Sequence, residues 1–224
     1  MSDAPTQRPT QLAFDAQVAV SHLRAADPAL GALMERCGPY APSTTAAPDV
    51  FHSLIRAIIY QQLSGKAAGT IHRRLLEALD GGDTPGAERI AAADDATLRS
   101  AGLSQNKMLS LQALAAAQRA GELPDETRMS DYTDAELIDT YSGIRGIGRW
   151  TVEMLLLFHL GRPDVMPIHD LGVRKGYALT YGLDQLPKPK QLEAACEIWR
   201  PYRSVGSWYM WRSLEAKGGV PQPG

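Results

Sequence analysis

Gly143-Ile144-Arg145-Gly146-Ile147-Gly148-Arg149-Trp150-Thr151, with Asp170 standing 19 residues beyond Thr151 in Met166-Pro167-Ile168-His169-Asp170, is the stretch on which the reading of this chain turns. It lies between two apolar segments of helical spacing, so its glycines mark a tight turn from one helix into the next. Glycine accepts the positive φ angles that such a turn demands. Bare backbone amides at the start of a helix are a seat for a phosphate, and Arg145 and Arg149 add positive charge beside it. Ile144 and Ile147 can pin the two helices while the glycine amides stay exposed. Asp170, delivered just downstream, can then act beside that anchored phosphate. The plainer alternatives are a Gly-rich helix–helix turn and an aspartate that merely caps the next helix. The flanking arginines and the downstream acid together favour the phosphate reading.

Outward from this hairpin, almost every apolar run has helical spacing and strand signals are nearly absent, which makes the chain all-α with about a dozen short helices. Leu12, Val18, Val20 and Leu23 open a first helix, broken at Asp27-Pro28, and a second covers 29–36. Residues 38–49 read as a long loop. A buried helix spans 50–63, and Ser64 caps another that ends near Leu79, with Gly81-Gly82 closing it. Short helices fit 87–92 and 95–101, and a longer one fits 105–120. Thr133-Asp134-Ala135-Glu136 has the capping-box pattern, placing a helix over 134–141. A strongly apolar helix follows over 149–160, then an extended 163–167, a helix from Asp170 to near Gly182, and two last helices over 190–199 and 203–216. The expected architecture is two small helical subdomains with a DNA and active-site cleft between them. Residues 1–49 form an N-terminal helical segment packing with the C-terminal helices. Residues 50–165 form a subdomain ending in the hairpin, and 166–224 carry Asp170 and the closing helix.

Composition narrows the function classes. The 224 residues are 44% hydrophobic and 21% charged with a net charge of −2, so the protein has a sizeable core and no overall positive coat. Charge is instead polarised along the chain. Arg174, Lys175, Lys188, Lys190, Arg200, Arg203, Arg212 and Lys217 outnumber the acids over 171–217, whereas Arg128 stands alone against seven acids over 121–141. A local basic face is what nucleic-acid binding needs. Cys37 and Cys196 are the two cysteines, too few for a zinc finger, an iron–sulfur cluster or a disulfide framework. No apolar run approaches a membrane span and no secretory core opens the chain, so a cytoplasmic protein without a membrane partner is expected (nucleoid-associated if bacterial).

The hairpin with its later Pro-x-x-Asp resembles the helix-hairpin-helix glycosylase superfamily of DNA repair enzymes. Within it, the chain is most similar to the alkylation-repair branch, the 3-methyladenine DNA glycosylase II group. Ile58-Ile59-Tyr60-Gln61-Gln62-Leu63-Ser64, Pro167-Ile168-His169-Asp170-Leu171-Gly172-Val173-Arg174 and Pro201-Tyr202-Arg203-Ser204-Val205-Gly206-Ser207-Trp208-Tyr209-Met210-Trp211 carry the same likeness, over about residues 50–215. Larger bacterial members start with a β-rich domain. Only helix-patterned residues precede the match here, which points to the short form of the family.

The resemblance implies an enzyme that flips a damaged base out of duplex DNA and hydrolyses its N-glycosidic bond, with Asp170 as the catalytic acid residue. Strand-cutting relatives carry a lysine where Trp150 stands, so the implied enzyme is monofunctional and uses water as nucleophile. Trp150, Trp208, Tyr209 and Trp211 fall where the resemblance puts the wall of the base pocket, Trp150 and Trp211 foremost, with Tyr60 and Met154 as further candidates. An indole face offers a cationic base ~1–2 kcal/mol. The DNA side is implied to be Gln61, Gln62 and Ser64, with Gln62 the favoured plug for the gap left by the flipped nucleotide, together with Arg145, Gly146, Gly148, Arg149 and Thr151. A Na+ or K+ ion held by Gly143, Gly146 and Gly148 would bridge hairpin and phosphate, and no organic cofactor is implied. Duplex DNA with damaged bases is the expected partner, bound by a monomer with no obligate protein partner. The rival readings are a non-catalytic helix-hairpin-helix DNA-binding module and a glycosylase for another lesion class.

Overall fold

A computed structural model describes residues 7–45, 47–79, 85–124 and 126–215. Twelve α-helices account for most of them: α1 Ala16–Ala26, α2 Pro28–Cys37, α3 Val50–Tyr60, α4 Gly65–Ala78, α5 Ala87–Ala92, α6 Asp95–Ser100, α7 Gln105–Arg119, α8 Asp134–Ser142, α9 Arg149–Met154, α10 Leu171–Thr180, α11 Pro189–Ala195 and α12 Arg203–Glu215. The all-α class is as expected. The helix starts are written in side chains that accept from first-turn amides, which would otherwise go unpaired. Asp15, Asp27, Asp49, Ser64, Asp94, Ser104, Thr133 and Asp170 all do this. Thr133 and Glu136 form the reciprocal capping box.

The structure departs locally from the sequence reading at five places. Residues 43–45 are not loop but strand β2 (Ser43–Thr45), paired antiparallel with β1 (Gln7–Pro9) in register Gln7 with Thr45 and Pro9 with Ser43. A three-residue ribbon between distant segments leaves no alternation to read. The first helix starts at Ala16, so Leu12 precedes it. The expected helix 149–160 gives way after Met154 to a π-helical turn, Leu155–His159, and 190–199 ends as a 3-10 turn, Cys196–Trp199. Hydrophobic spacing over so few residues does not separate these helix types. A further 3-10 turn, Glu126–Asp131, was not anticipated. Gly81-Gly82 lies outside the described residues.

The chain divides into two compact units: residues 1–46 with 156–224, and residues 47–155. In the first, α12 packs on α10, α2 and α1, and it is buried along almost its whole length from Arg203 to Ser213. A helix this buried satisfies most of its polar groups internally, Trp208 Nε1 being an exception. Ser204 does so by donating to Arg162 O and accepting from Val165 N, and Ser213 by donating to Met210 O. Arg203 forks onto Asp164, with Nε to Oδ1 at 2.7 Å and Nη2 to Oδ2 at 3.0 Å. Gly172 and Gly176, one turn apart on α10, let α12 approach closely; a Cβ on Gly176 would lie 2.0 Å from Met210 O. In the second unit, Leu54, Ile55, Ile58 and Ile59 of α3 are buried, as are Leu111 and Leu114 of α7, the helix that α3 and α5 both pack against. Helices α8 and α9 pair as the two arms of the hairpin.

Candidate active site

The residues singled out from sequence fall into two sets, one in each unit. In the unit 47–155, the hairpin leaves α8 at Ser142 and enters α9 at Arg149. Gly146 has φ +81°, which a glycine adopts without strain. Ile147 is buried as a pin while Arg145, Gly146, Gly148 and Arg149 are exposed. Gly148 is the N-cap of α9 and has no side chain to occupy its first-turn amides. Thr151 is buried. Arg149 is braced by Glu153 one turn on, Nε to Oε1 at 2.9 Å.

The turn after α3 is tied to this hairpin. Gln61 Nε2 donates to Gly146 O at 3.0 Å. Gln62 has φ +58° and its side chain is exposed, as are Leu63 and Ser64. A non-glycine residue in the left-handed region is uncommon, and such strain gathers at functional sites. Beneath both segments lies the start of α7, whose role no sequence signal announced. Lys107 Nζ donates to the carbonyls of Ile59 and Gln61. Burial pulls its pKa below the usual lysine value. Ser110, hydrogen-bonded to Asn106 O at 2.8 Å, fills the space under Gly146, where a Cβ would lie 2.0 Å from its Oγ. Arg145 Nη2 reaches Asn106 Oδ1 at 3.5 Å.

In the other unit, Asp170 is the N-cap of α10. Its Oδ1 accepts from Val173 N at 2.7 Å and from Trp211 Nε1 at 2.9 Å. The carboxylate is therefore oriented by one backbone and one indole N–H. Gly172 makes room for this pair: a Cβ there would lie 2.8 Å from Trp211 Nε1 and 3.0 Å from Asp170 Oδ1. Phe158, from the π-helical turn, packs on the Trp211 ring at 5.7 Å between centroids. His169 is exposed beside the acid.

The candidate pocket aromatics differ in what they offer. Trp150 is 42% exposed, a large indole surface that folding leaves partly in solvent. Trp211 is 4% exposed and its N–H is committed to Asp170. Trp208, also 4% exposed, meets Tyr40 edge-on at 5.2 Å and Tyr209 at 4.9 Å, which is core packing. The Tyr60 face already carries the Arg56 guanidinium, 3.6 Å from its centroid. Met154 is half-buried.

The hairpin carbonyls expected to hold a monovalent cation are partly engaged within the chain. Gly148 O accepts from Thr151 N and Val152 N as the start of α9, and Gly146 O accepts from Gln61. Two of the three carbonyls are thus turned to partners within the chain. Among the described residues no group of three His, Cys, Asp or Glu could hold a metal ion, and no helix is long and apolar enough to cross a membrane.

Residues 55–201 match the family described as HhH-GPD superfamily base excision DNA repair protein. The chain is 36% identical over 193 residues to DNA-3-methyladenine glycosylase 1 of Schizosaccharomyces pombe, covering 86% of this chain and 85% of the relative. Among solved structures, a 3-methyladenine DNA glycosylase of the same yeast in complex with abasic DNA aligns with TM-score 0.77 at 36% identity, over 88% of this chain and 97% of that one. A DNA-3-methyladenine glycosidase from Bacillus halodurans aligns with TM-score 0.79 at 29% identity, over 96% and 95%.

Proposed function

Because the chain belongs to the HhH-GPD superfamily of base excision DNA repair proteins, we infer that it is a DNA glycosylase that removes alkylated bases by hydrolysing the N-glycosidic bond. The observation that carries the reading to this chain's own chemistry is the Asp170 carboxylate, held by Val173 N and Trp211 Nε1 on the same oxygen. As the bond between C1′ and the base nitrogen breaks, its electron pair leaves with the base and positive charge grows on the deoxyribose. A preoriented carboxylate stabilises that charge, and it can orient or deprotonate the attacking water. The water oxygen bonds to C1′, its proton is released, and an abasic site remains. A base made cationic by alkylation departs neutral, so one carboxylate suffices.

The other unit serves the duplex. The exposed glycine amides of the hairpin with Arg145 and Arg149 seat backbone phosphate. With Gln61 engaged at Gly146 O, Gln62 is the exposed amide available to fill the gap left by a flipped nucleotide. The Trp150 indole is the surface for a cationic base. Trp150 carries no amine for a Schiff base, so the strand is left intact. One hairpin and one acid need no second subunit, and no cofactor enters the chemistry.

The test is methylated duplex DNA incubated with the purified protein, scoring free base and strand breaks separately. Release of methylated purine with an intact, alkali-labile strand is expected. Asp170→Asn, which keeps an N-cap side chain, should lower the single-turnover rate by about 10²–10³-fold while abasic-DNA binding persists. Excision at an unchanged rate would remove Asp170 from its role, and breaks without alkali would overturn the monofunctional reading.

A further inference from the structure

The Gln61–Ser64 turn is held in a conformation that its own residues do not favour. Gln62, at φ +58°, carries the left-handed strain, and the residue is exposed. A strained residue persists only where its surroundings over-determine it. Besides the Leu63 N–H donated to Tyr60 O at 3.3 Å across the turn, what ties this one down is Lys107. From the first turn of α7 its ammonium donates to Ile59 O, in the last turn of α3, and to Gln61 O, the carbonyl that leads directly into Gln62. These are carbonyls that a helix end leaves without amide partners, and a cation there is favoured by the helix dipole as well. Lys107 is partly desolvated, which strengthens both charge-assisted bonds.

The same helix supports the hairpin. One turn further along α7, Ser110 sits under Gly146, and Asn106 meets Arg145. Gln61 then bridges the two segments through its amide bond to Gly146 O. The gap-filling turn and the phosphate-binding hairpin thus share one rigid base, with Lys107 as the charged tie on the turn side.

We propose that Lys107 is a positioning residue for base flipping, which by gripping the Ile59 and Gln61 carbonyls presents the Gln62 side chain to the duplex in register with the hairpin. It touches neither DNA nor the reacting atoms. The proposal rests on the glycosylase reading above, but it makes a separable claim about opening a base pair.

The experiment compares wild type with Lys107→Met, which keeps the stem and removes the donor, and Lys107→Arg, which keeps a cationic donor. Single-turnover release is measured on a duplex with the lesion opposite a normal base, and on one with the lesion opposite an abasic-site analogue, where no pair has to be opened. Affinity for an abasic-analogue duplex relative to an intact duplex is measured alongside, because it needs no catalysis. Loss of hydrogen bonds to a charged group predicts that Lys107→Met loses about 10- to 100-fold on the paired lesion. The loss should be several-fold smaller on the unpaired lesion, the abasic preference should fall in parallel, and Lys107→Arg should recover most of both. Equal losses on the two substrates, or none, would overturn the proposal, because general destabilisation does not discriminate between them. If Lys107→Met does not fold, Lys107→Gln, a shorter neutral donor, decides by the same ratio. If wild type releases no base at all, the glycosylase reading fails while the affinity ratio still tests the grip.

Discussion

Trp211 and Asp170 share a hydrogen bond of 2.9 Å from the indole Nε1 to the same carboxylate oxygen that caps α10 through Val173. Two donors on one oxygen restrict the rotation of the carboxylate, and orientation of a reacting group is a large part of catalytic power. Trp211→Phe keeps most of the ring and removes the N–H. Single-turnover base release should drop by about tenfold, with abasic-DNA affinity little changed. A rate equal to wild type would show that the Val173 amide alone orients Asp170.

Gly172 should be intolerant of even one carbon. An added Cβ would stand 2.7 Å from Trp211 Cδ1 and 2.8 Å from Nε1, and Trp211 is nearly fully buried. The ring must move, and with it the bond to Asp170. Gly172→Ala should cost about 1–3 kcal/mol in denaturant unfolding and lower base release beyond what Trp211→Phe does.

Gly146→Ala combines two separable penalties. Its φ of +81° disfavours alanine, and its Cβ would collide with Ser110 Oγ at 2.0 Å. The single variant should lose roughly 1–3 kcal/mol of stability and bind duplex DNA more weakly. Pairing it with Ser110→Gly should restore the steric part and leave the backbone part. Additive losses in the double-mutant cycle would rule out the collision.

Alkaline pH should unfold the protein earlier than its net charge suggests. Burial pushes the phenols of Tyr177 and Tyr209 up to about 12, and raises those of Tyr40, Tyr141 and Tyr181 further, the last helped by its hydrogen bond to Asp27. The unfolded chain ionises its tyrosines near their ordinary value of about 10, so it holds fewer protons than the native state above that pH. The stability from these neutral phenols is complete below about pH 10 and is lost as pH rises toward the folded values. Denaturant midpoints followed from neutral to strongly alkaline pH should be flat and then fall, with the phenolate absorbance of these five tyrosines appearing only as the protein unfolds. Phenolate signal from these residues in a still-folded protein would contradict their burial.

Much of this was legible in the chain because the signals are local. Ser64, Thr133-Glu136 and Asp170 announce helix starts, since a short polar side chain next to an amide is a matter of two or three bonds. The Gly146-Ile147-Gly148 turn reads directly too, because only glycine adopts φ +81° without strain. What did not read were features with no local signature. The β1–β2 ribbon pairs residues about 36 apart, and Leu155-Leu156-Leu157-Phe158-His159 is as compatible with an α-helix as with a π-turn. Lys107 looks from sequence like any solvated helix lysine, and Trp208 like any pocket aromatic.

By itself, then, the order of residues determined the helical class, the hairpin, the Asp170 cap and the family, because helix periodicity, capping and turn geometry act over a few neighbours. Tertiary structure alone decided the rest. It placed the Lys107 ammonium on the carbonyls before Gln62, put the Trp211 N–H on Asp170 and sent Trp208 into the core while leaving Trp150 exposed. Those outcomes depend on which helix faces meet. Contacts between residues tens of positions apart are set by the sum of packing over a whole unit, which no short window of sequence contains.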